Sequence, residues 1–287
     1  MPRLTGEWEF VQEEISVEAI VGQGGFGEVR TCRWLGGIAA VKVIAPKPQL
    51  GSGGATLTNQ DFESYLHRQE MESWFRLSHP NVLPFLGTCI TSPTPMILTP
   101  FAPNGSARSY REKNPHADWL HILNQIALGV KDLHDEALII HGDIKGSNIL
   151  ISSSITPQIA DFGLAKMVQN TYGRVNSGRG TVQWMAPELL GESTSSPSNG
   201  AVVRGGRLTY ESDMYALGMT LYELWFGTDP FCFLELELVR EVVVEEDFRP
   251  MRDGDPMMGD VLWEVVEGCW PKDPHGRLRA GQVTEIS

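Results

Sequence analysis

The pattern of apolar residues changes near residue 100, and this change limits the chain to a fold in which strands and helices are segregated. Before it, short runs rich in β-branched residues alternate with glycine-containing turns, as strands of an antiparallel sheet do. The predicted strands are Ile15–Val21, Glu28–Trp34, Ile38–Ile44, Val82–Leu86 and Met96–Thr99. After it, apolar residues recur at helical spacing from Trp119 to Leu133, and Met214–Phe226 is apolar on nearly all sides, as a buried helix would be. The pattern predicts an α+β fold, with a small antiparallel sheet followed by a larger, mainly helical part.

Four other stretches are interpreted less directly. Residues 46–60 are rich in Pro, Gly and small polar residues, which indicates an exposed loop, and a helix is predicted over Asp61–Leu77. Residues 191–209 have the composition of a flexible insertion. In residues 233–246, FLELELVREVVVEE, leucine alternates with glutamate as in a strand. Both residues nevertheless favour helices, so either structure fits this stretch.

Composition excludes several classes of protein. With 287 residues and 41% hydrophobic content, the chain can bury a sizeable core. A formal charge of −13 argues against a surface for nucleic acid or anionic membranes. Four dispersed cysteines form no CxxC pair, and there is no apolar signal segment and no run of 18 apolar residues. We therefore expect a soluble, cytoplasmic protein with reduced thiols that neither binds nucleic acid nor enters a membrane.

A glycine-rich segment, VGQGGFGEV, lies between the first two predicted strands. Its glycines allow backbone N–H groups to approach a phosphate closely. The same spacing occurs in dinucleotide-binding folds, but there the glycines lead into a helix, whereas Glu28–Trp34 is strand-like. Taken alone, the segment fits a plain glycine hairpin as well as a phosphate-binding loop.

Lys42 is the one charged residue in an apolar predicted strand. Burying an ammonium group is unfavourable unless it is paired, so phosphate oxygens and a carboxylate are its expected partners. Glu70 lies on the same helical face as Leu66 and Trp74 and is the preferred carboxylate, with Glu72 as the alternative. A lysine that extends to solvent from a strand edge remains the ordinary alternative.

Two acids and an amide occur close together downstream. The run from His141 to Asn148, HGDIKGSN, precedes an apolar strand-like stretch, and Asp161-Phe-Gly follows shortly afterwards. An isolated loop aspartate usually caps a turn. The fixed spacing of Asp143 and Asp161 to Asn148 instead indicates a joint role in chemistry.

These segments together resemble the signature motifs of the protein kinase family, and the match spans nearly the whole chain from Gly22 to Arg277. Trp184-Met-Ala-Pro-Glu188 and Cys269-Trp270 are similar to the tyrosine-kinase-like group. The matching motifs are the glycine-rich loop, Ala40-Val-Lys42, Glu70 before His79-Pro-Asn81, the run His141–Asn148, Asp161-Phe-Gly, Ala186-Pro-Glu188 and Asp273-Pro with Arg277.

The resemblance implies a role for each matching residue. Asp143 would accept or orient the proton of the substrate hydroxyl, and Lys145 would support the transferred phosphoryl group. Lys42 paired with Glu70 would align the phosphates of ATP. The expected catalytic residues are Asp143, Lys145, Lys42, Glu70 and Thr181, and the expected Mg²⁺ ligands are Asn148 and Asp161.

A nucleotide pocket is implied in the same way. Val29, Ala40 and Leu150 would enclose the adenine ring, and Thr99 would stand at the back of the pocket. Most relatives carry a polar or acidic residue where Pro100 stands, but only its carbonyl is required, and the necessary N–H belongs to Ala102. The full expected set for ATP is Val21, Gly22, Gln23, Gly24, Gly25, Gly27, Val29, Ala40, Lys42, Thr99, Pro100, Ala102 and Leu150.

The same resemblance predicts two lobes over residues 1–287, with the smaller lobe from about residue 15 to 100, a hinge at 101–105 and the larger lobe from 106. Only ten residues follow Arg277, so the final helix is expected to be cut short. Glu188 and Arg277 would form a buried bidentate ion pair, and Asp213 would brace the catalytic run. A monomer or transient dimer that acts on protein substrates is expected.

Lys145 and Gly180-Thr181 resemble serine/threonine kinases, so transfer to Ser or Thr hydroxyls is expected. Dual specificity, a tyrosine kinase and a pseudokinase scaffold that only binds nucleotide or partners are the alternatives. Gly142 stands where many kinases have an arginine that binds a phosphate on the activation segment. We therefore expect activity to depend little on phosphorylation at Thr171, Tyr172 or Ser177, although Lys166 and Arg174 could offer partial pairing.

Overall fold

The computed structural model describes residues 10, 14–24, 27–43, 74–75, 77–89, 96–161, 182–191, 206–252 and 258–284. The chain divides into two compact units, Met1–Pro103 and Asn104–Ser287. No helix in these ranges is long and apolar enough to cross a membrane.

The first unit contains a five-stranded antiparallel sheet in the order β1-β2-β3-β5-β4. The strands are β1 (Ser16–Gly24), β2 (Gly27–Trp34), β3 (Gly37–Val43), β4 (Gly87–Cys89) and β5 (Met96–Pro100). β2 and β3 are joined by a two-residue turn in which Leu35 and Gly36 have φ values of 48° and 80°. Such a turn matches the right-handed twist of the strands it joins.

One face of this sheet carries the core of the first unit, because its alternate residues are apolar. The buried cluster consists of Phe10, Ile15, Cys32, Ala39, Val41, Cys89, Met96 and Leu98. Val29, Ala40, Lys42 and Thr99 belong to the opposite face, since directly paired residues share a face and side chains alternate along a strand.

The predicted strands at β1, β2, β3 and β5 are confirmed, but the strand predicted over Val82–Leu86 is wrong, because β4 begins only at Gly87. Pro84 lies in the middle of the predicted run and has no N–H to donate to a ladder. Val82, Leu83 and Phe85 are nevertheless buried. The loop at 46–60 lies outside the described residues. Of the helix predicted over 61–77, the described residues are Trp74 and Phe75, which are helical, and Leu77, which is not.

The second unit is mainly helical. Its described helices are α1 (Ala107–Lys113), α2 (Trp119–Asp135), α3 (Pro187–Leu190), α4 (Tyr210–Phe226), α5 (Leu236–Val244), α6 (Asp260–Gly268) and α7 (Ala280–Val283). A short hairpin is formed by β6 (Ile149–Ile151) and β7 (Pro157–Ile159). The predicted segregation of strands and helices, and hence the α+β fold class, is confirmed.

Helix α4 lies at the centre of the second unit, as its apolar sequence predicts. Every residue from Ser212 to Leu224 is buried. A capping box between Thr209 and Ser212 fixes its beginning, and Gly227, with φ of 73°, ends it. This rigid, enclosed helix can position loops that touch it.

Helix α5 resolves the stretch in which leucine alternates with glutamate. Val239 and Val243, four residues apart, are buried, whereas Leu238 is exposed. The two valines, and not the alternating leucines, define the apolar face. Of the flexible insertion predicted at 191–209, residues 192–205 lie outside the described residues.

Candidate active site

The β6–β7 hairpin places Asn148 and Asp161 at the same end. Ile149 pairs with Ile159, and beyond this pair the N–H of Ala160 donates to the carbonyl of Asn148 at 2.9 Å. Asp161 is the residue after Ala160 and therefore directly follows this hydrogen bond to Asn148. Its φ of 63° is uncommon for a residue other than glycine and requires support from its surroundings.

Asp143 is held by two side chains of the run that the sequence singled out. Lys145 Nζ lies 3.0 Å from its Oδ1 and 2.8 Å from its Oδ2. Asn148 Nδ2 donates to the Asp143 carbonyl at 2.7 Å and to its Oδ2 at 2.8 Å. Because both bonds use the amide nitrogen, Oδ1 is the Asn148 atom suited to a cation. Asp143, Lys145 and Asn148 thus form one cluster.

His141 joins this cluster to the hairpin. Its ring is fully buried, its Nδ1 accepts a hydrogen bond from the N–H of Asp143 at 3.1 Å, and its Nε2 lies 3.0 Å from the carbonyl of Ala160. This pattern requires a neutral ring with the proton on Nε2. Burial lowers the pKa of His141, which favours the same form, although Asp213 and Asp143 act in the other direction.

Asp213, on helix α4, fixes the backbone just before Asp143, as predicted. Its Oδ2 accepts from the N–H of His141 at 2.7 Å, and its Oδ1 accepts from the N–H of Gly142 at 2.8 Å. The ring of His134 lies 3.0 Å from the same Oδ2. Gly142 has φ of 79°, so the residue that replaces the usual arginine also occupies a conformation that favours glycine.

The predicted ion pair between Glu188 and Arg277 is confirmed. Arg277 Nη1 and Nη2 lie 2.8 and 2.7 Å from the two carboxylate oxygens of Glu188. The arginine also donates to the carbonyls of Glu211 and Pro271. This pair joins Glu188, at the first turn of α3, to the segment that follows α6.

Sequence reasoning missed Glu223. This carboxylate on α4 accepts hydrogen bonds from the N–H of Gly146 and from the indole of Trp184, both at 2.9 Å. The available signal was an acid inside a helix that is otherwise apolar on nearly all sides, because such an acid must find partners in the interior.

In the first unit, the sheet register relates several residues expected to bind ATP. Gly22 pairs with Val29, Val29 with Lys42, and Ala40 with Thr99. Directly paired residues point to the same face, so these five lie on one face. The turn between β1 and β2 is bounded by Gly24 and Gly27, and Gly27 has φ of 137°.

The other expected residues of the pocket are placed as follows. Val21 and Gln23 are exposed on β1, Pro100 ends β5, and Ala102 follows outside regular structure. Leu150, in the second unit, is half-buried between two buried isoleucines and so projects from the opposite side of β6. Three expected residues, Gly25, Glu70 and Thr181, lie outside the described residues, as do Thr171, Tyr172, Ser177, Lys166 and Arg174.

Comparison with known proteins gives consistent matches. A family model described as protein kinase domain matches residues 15–287. The chain is similar to "Serine/threonine-protein kinase STY17" of Arabidopsis thaliana, with 28% identity over 98% of this chain and 45% of that protein. It is also similar to "Mitogen-activated protein kinase kinase kinase 11" of Homo sapiens, with 31% identity over 92% of this chain and 30% of that protein.

A third relative is named for dual specificity. It is "Dual specificity protein kinase shkC" of Dictyostelium discoideum, with 29% identity over 95% of this chain and 51% of that protein. The chain therefore spans between about a third and a half of the length of these relatives.

Proposed function

The chain belongs to the protein kinase family, and from this premise we propose that it transfers the γ-phosphate of ATP to Ser or Thr hydroxyls of protein substrates. The observation that carries the proposal is the cluster of Asp143, Lys145 and Asn148, held beside Asp161 by the hairpin. Phosphoryl transfer depends mainly on positioning and charge stabilisation, and this cluster is suited to both.

In the proposed reaction, the substrate hydroxyl oxygen forms a bond to the γ-phosphorus while the bond from that phosphorus to the β–γ bridging oxygen breaks. Asp143 accepts the proton that the hydroxyl loses. Lys145, at 2.8 Å from Asp143, keeps the carboxylate oriented and carries positive charge next to the transferred group. ADP is the leaving group.

The donors at Asn148 and Asp161 fit Mg²⁺. Amide and carboxylate oxygens are ligands that Mg²⁺ uses together with phosphate oxygens. The amide nitrogen of Asn148 is engaged with Asp143, which leaves its oxygen as the donor atom. When bound, the ion would neutralise charge on the phosphates. The unusual backbone conformation of Asp161 supports a functional constraint at this position.

ATP would be held in the first unit by the residues that share one face of the sheet. Val29 and Ala40 offer apolar contact to an adenine ring, and Lys42 offers a cation to the phosphates. Pro100 retains the carbonyl that adenine would use, and Ala102 retains the N–H. The pairing of Lys42 with Glu70, and the role of Thr181, remain predictions from the sequence.

The experiment incubates the purified chain with labelled ATP, Mg²⁺ and casein, beside Lys42→Met and Asp143→Asn. We expect both variants to lose at least about 100-fold in transfer. Matched controls are Lys113→Met and Asp135→Asn, which make the same changes at exposed positions on α1 and α2. Equal signal in all five proteins would instead favour a pseudokinase scaffold.

Analysis of the labelled amino acids distinguishes the alternatives in specificity. Phosphoserine or phosphothreonine alone is expected. Phosphotyrosine together with them would indicate dual specificity, and phosphotyrosine alone would contradict the proposal. A cytoplasmic location is proposed from the composition, and a monomer or transient dimer stays a prediction from the sequence.

A further inference from the structure

Glu223 is a buried acid that the proposed reaction does not use. Its side chain is 3% exposed, on a helix whose surrounding residues are buried. Placing a carboxylate in such a position is unfavourable unless hydrogen bonds compensate for the lost water. The partners of this carboxylate therefore indicate why an acid lies here.

Two of those partners belong to different segments of the second unit. Glu223 Oε2 accepts from the N–H of Gly146 and from Nε1 of Trp184, and Arg108 Nη1 lies 3.4 Å from Oε1. Gly146 begins the short 3₁₀ helix Gly146–Asn148, and Trp184 ends the 3₁₀ helix Val182–Trp184. A single oxygen atom thus links the segment that contains Asn148 to the segment that precedes α3.

Steric packing strengthens this link. A Cβ atom added to Gly146 would lie 2.6 Å from Oε1 of Glu223, closer than real Cβ atoms approach other atoms. The carboxylate therefore fills the space that a side chain at position 146 would occupy. Gly146 cannot move toward Glu223 without a clash, or away from it without losing the hydrogen bond, so the chain from Lys145 to Asn148 is held in place.

We propose that Glu223 is a positioning residue for phosphoryl transfer, which acts through the N–H of Gly146 and the indole of Trp184 to hold the segment that carries Asp143, Lys145 and Asn148. The inference rests on the proposed function, because it assigns a role within that reaction. Glu223 is not among the residues assigned to a reacting group. Its effect passes from Gly146 through the 3₁₀ turn to Asn148, whose amide is bonded to Asp143.

The test compares Glu223→Met with Glu223→Gln. Methionine fills a similar volume but accepts no strong hydrogen bond, whereas glutamine has one oxygen that can receive both Gly146 and Trp184. With casein, Mg²⁺ and ATP, we expect Glu223→Met to lower kcat on the order of 100-fold. KM for ATP should change less than about threefold, because among the described residues the hydrogen-bond partners of Glu223 are Gly146, Trp184 and Arg108, and none of these is assigned to the nucleotide.

Glu223→Gln should keep kcat within about threefold of the unaltered chain. Thr220→Val is the matched control, because Thr220 is buried on the same helix and, among the described residues, its hydroxyl donates to the carbonyl of Ala216 on that helix. It should lower stability and leave kcat within about twofold. Equal losses of kcat in Glu223→Met and Thr220→Val, or in Glu223→Met and Glu223→Gln, would contradict the proposal.

A second pair of variants applies if Glu223→Met does not fold. Trp184→Phe removes the indole donor, and Trp270→Phe makes the same change at another buried tryptophan beside α4. Within the described part of the chain, Nε1 of Trp270 has no hydrogen-bond partner. We expect Trp184→Phe to lower kcat about tenfold and Trp270→Phe to leave it nearly unchanged. Equal kcat values in these two variants would overturn the inference.

Amide hydrogen exchange over residues 143–148 separates failure of this inference from failure of the proposed function. If the unaltered chain transfers no more phosphate than Asp143→Asn, the proposed function fails, but exchange still tests the positioning. Exchange at Gly146 should be about tenfold faster in Glu223→Met or Trp184→Phe than in Thr220→Val or Trp270→Phe. Equal exchange rates would show that Glu223 does not hold this segment.

Discussion

Arg277 and Glu188 are 89 positions apart in the sequence and form a bidentate ion pair, with nitrogen–oxygen distances of 2.8 and 2.7 Å. The arginine side chain is fully buried, and its guanidinium also lies 5.2 Å from the centre of the Tyr215 ring. A planar guanidinium can satisfy all of these contacts at once, whereas an ammonium group cannot.

Arg277→Lys should therefore lower the free energy of unfolding by about 3 kcal/mol, because the change leaves the buried acceptors around position 277 partly unsatisfied. Urea denaturation of the whole chain measures this difference. Arg207→Lys, at an exposed position, is the control and should change stability by less than about 0.5 kcal/mol. A similar effect in the two variants would mean that the pair does not brace the second unit.

Gly142 provides a second prediction, because its backbone adopts φ of 79° while its N–H donates to Asp213. Alanine disfavours this conformation, so Gly142→Ala should lower the free energy of unfolding by about 1 kcal/mol. It should also reduce phosphoryl transfer, since the adjacent Asp143 would move. Gly191→Ala adds the same methyl group at φ of −64°, where, among the described residues, it meets the carbonyl of Pro187 at an ordinary contact distance, and it should have little effect. Thermal unfolding and transfer assays of both variants test the difference.

Local signals explain which parts of the fold and the site could be predicted. The glycines around β1 and β2, the lone Lys42 in its strand and the spacing from Asp143 to Asn148 are readable over a few residues. Pro84, which has no N–H to donate to a ladder, argues against the strand predicted over Val82–Leu86. At α5, helix and strand can be told apart only by knowing that Val239 and Val243 are buried, and their burial depends on packing.

Long-range partners could be predicted only where a family motif pointed to them. The pairing of Arg277 with Glu188 followed from the resemblance to protein kinases, whereas the bond from Gly146 to Glu223, 77 positions away, did not. An acid in an apolar helix signals a buried partner but does not identify it. The packing of Gly146 against that carboxylate becomes visible only in three dimensions.

The third prediction concerns regulation and rests on the sequence at Gly142. Without an arginine there, a phosphate on the activation segment lacks its main cation, so alanine at Thr171, Tyr172 and Ser177 together should leave most of the activity. Transfer to casein by the triple variant and by the unaltered chain, the latter before and after phosphatase treatment, measures this. A loss of more than about tenfold would contradict it. Alanine at the exposed Ser153 and Ser154 serves as a control for serine removal.

The fourth prediction uses the ionisation of Glu223. Burial raises the pKa of this carboxyl, and the bonds from Gly146, Arg108 and Trp184 only partly oppose the shift. Below the ordinary pKa of 4.5 the group is protonated in both the folded and the unfolded chain, so no stability is lost. As the pH rises from 4.5 toward the folded pKa, the unfolded chain releases its proton first, and the folded state loses stability. Glutamine does not titrate and avoids this loss.

The free energy of unfolding of Glu223→Gln, relative to the unaltered chain, should therefore increase from pH 4.5 to pH 7.5, on top of a constant offset from the altered contact with Arg108. Urea denaturation at several pH values within this range measures the trend. Glu264→Gln, at an exposed position on α6, is the matched control. A difference that stays constant or falls with rising pH would show that the Glu223 carboxylate is stabilised in its charged form, with its three donors outweighing its burial.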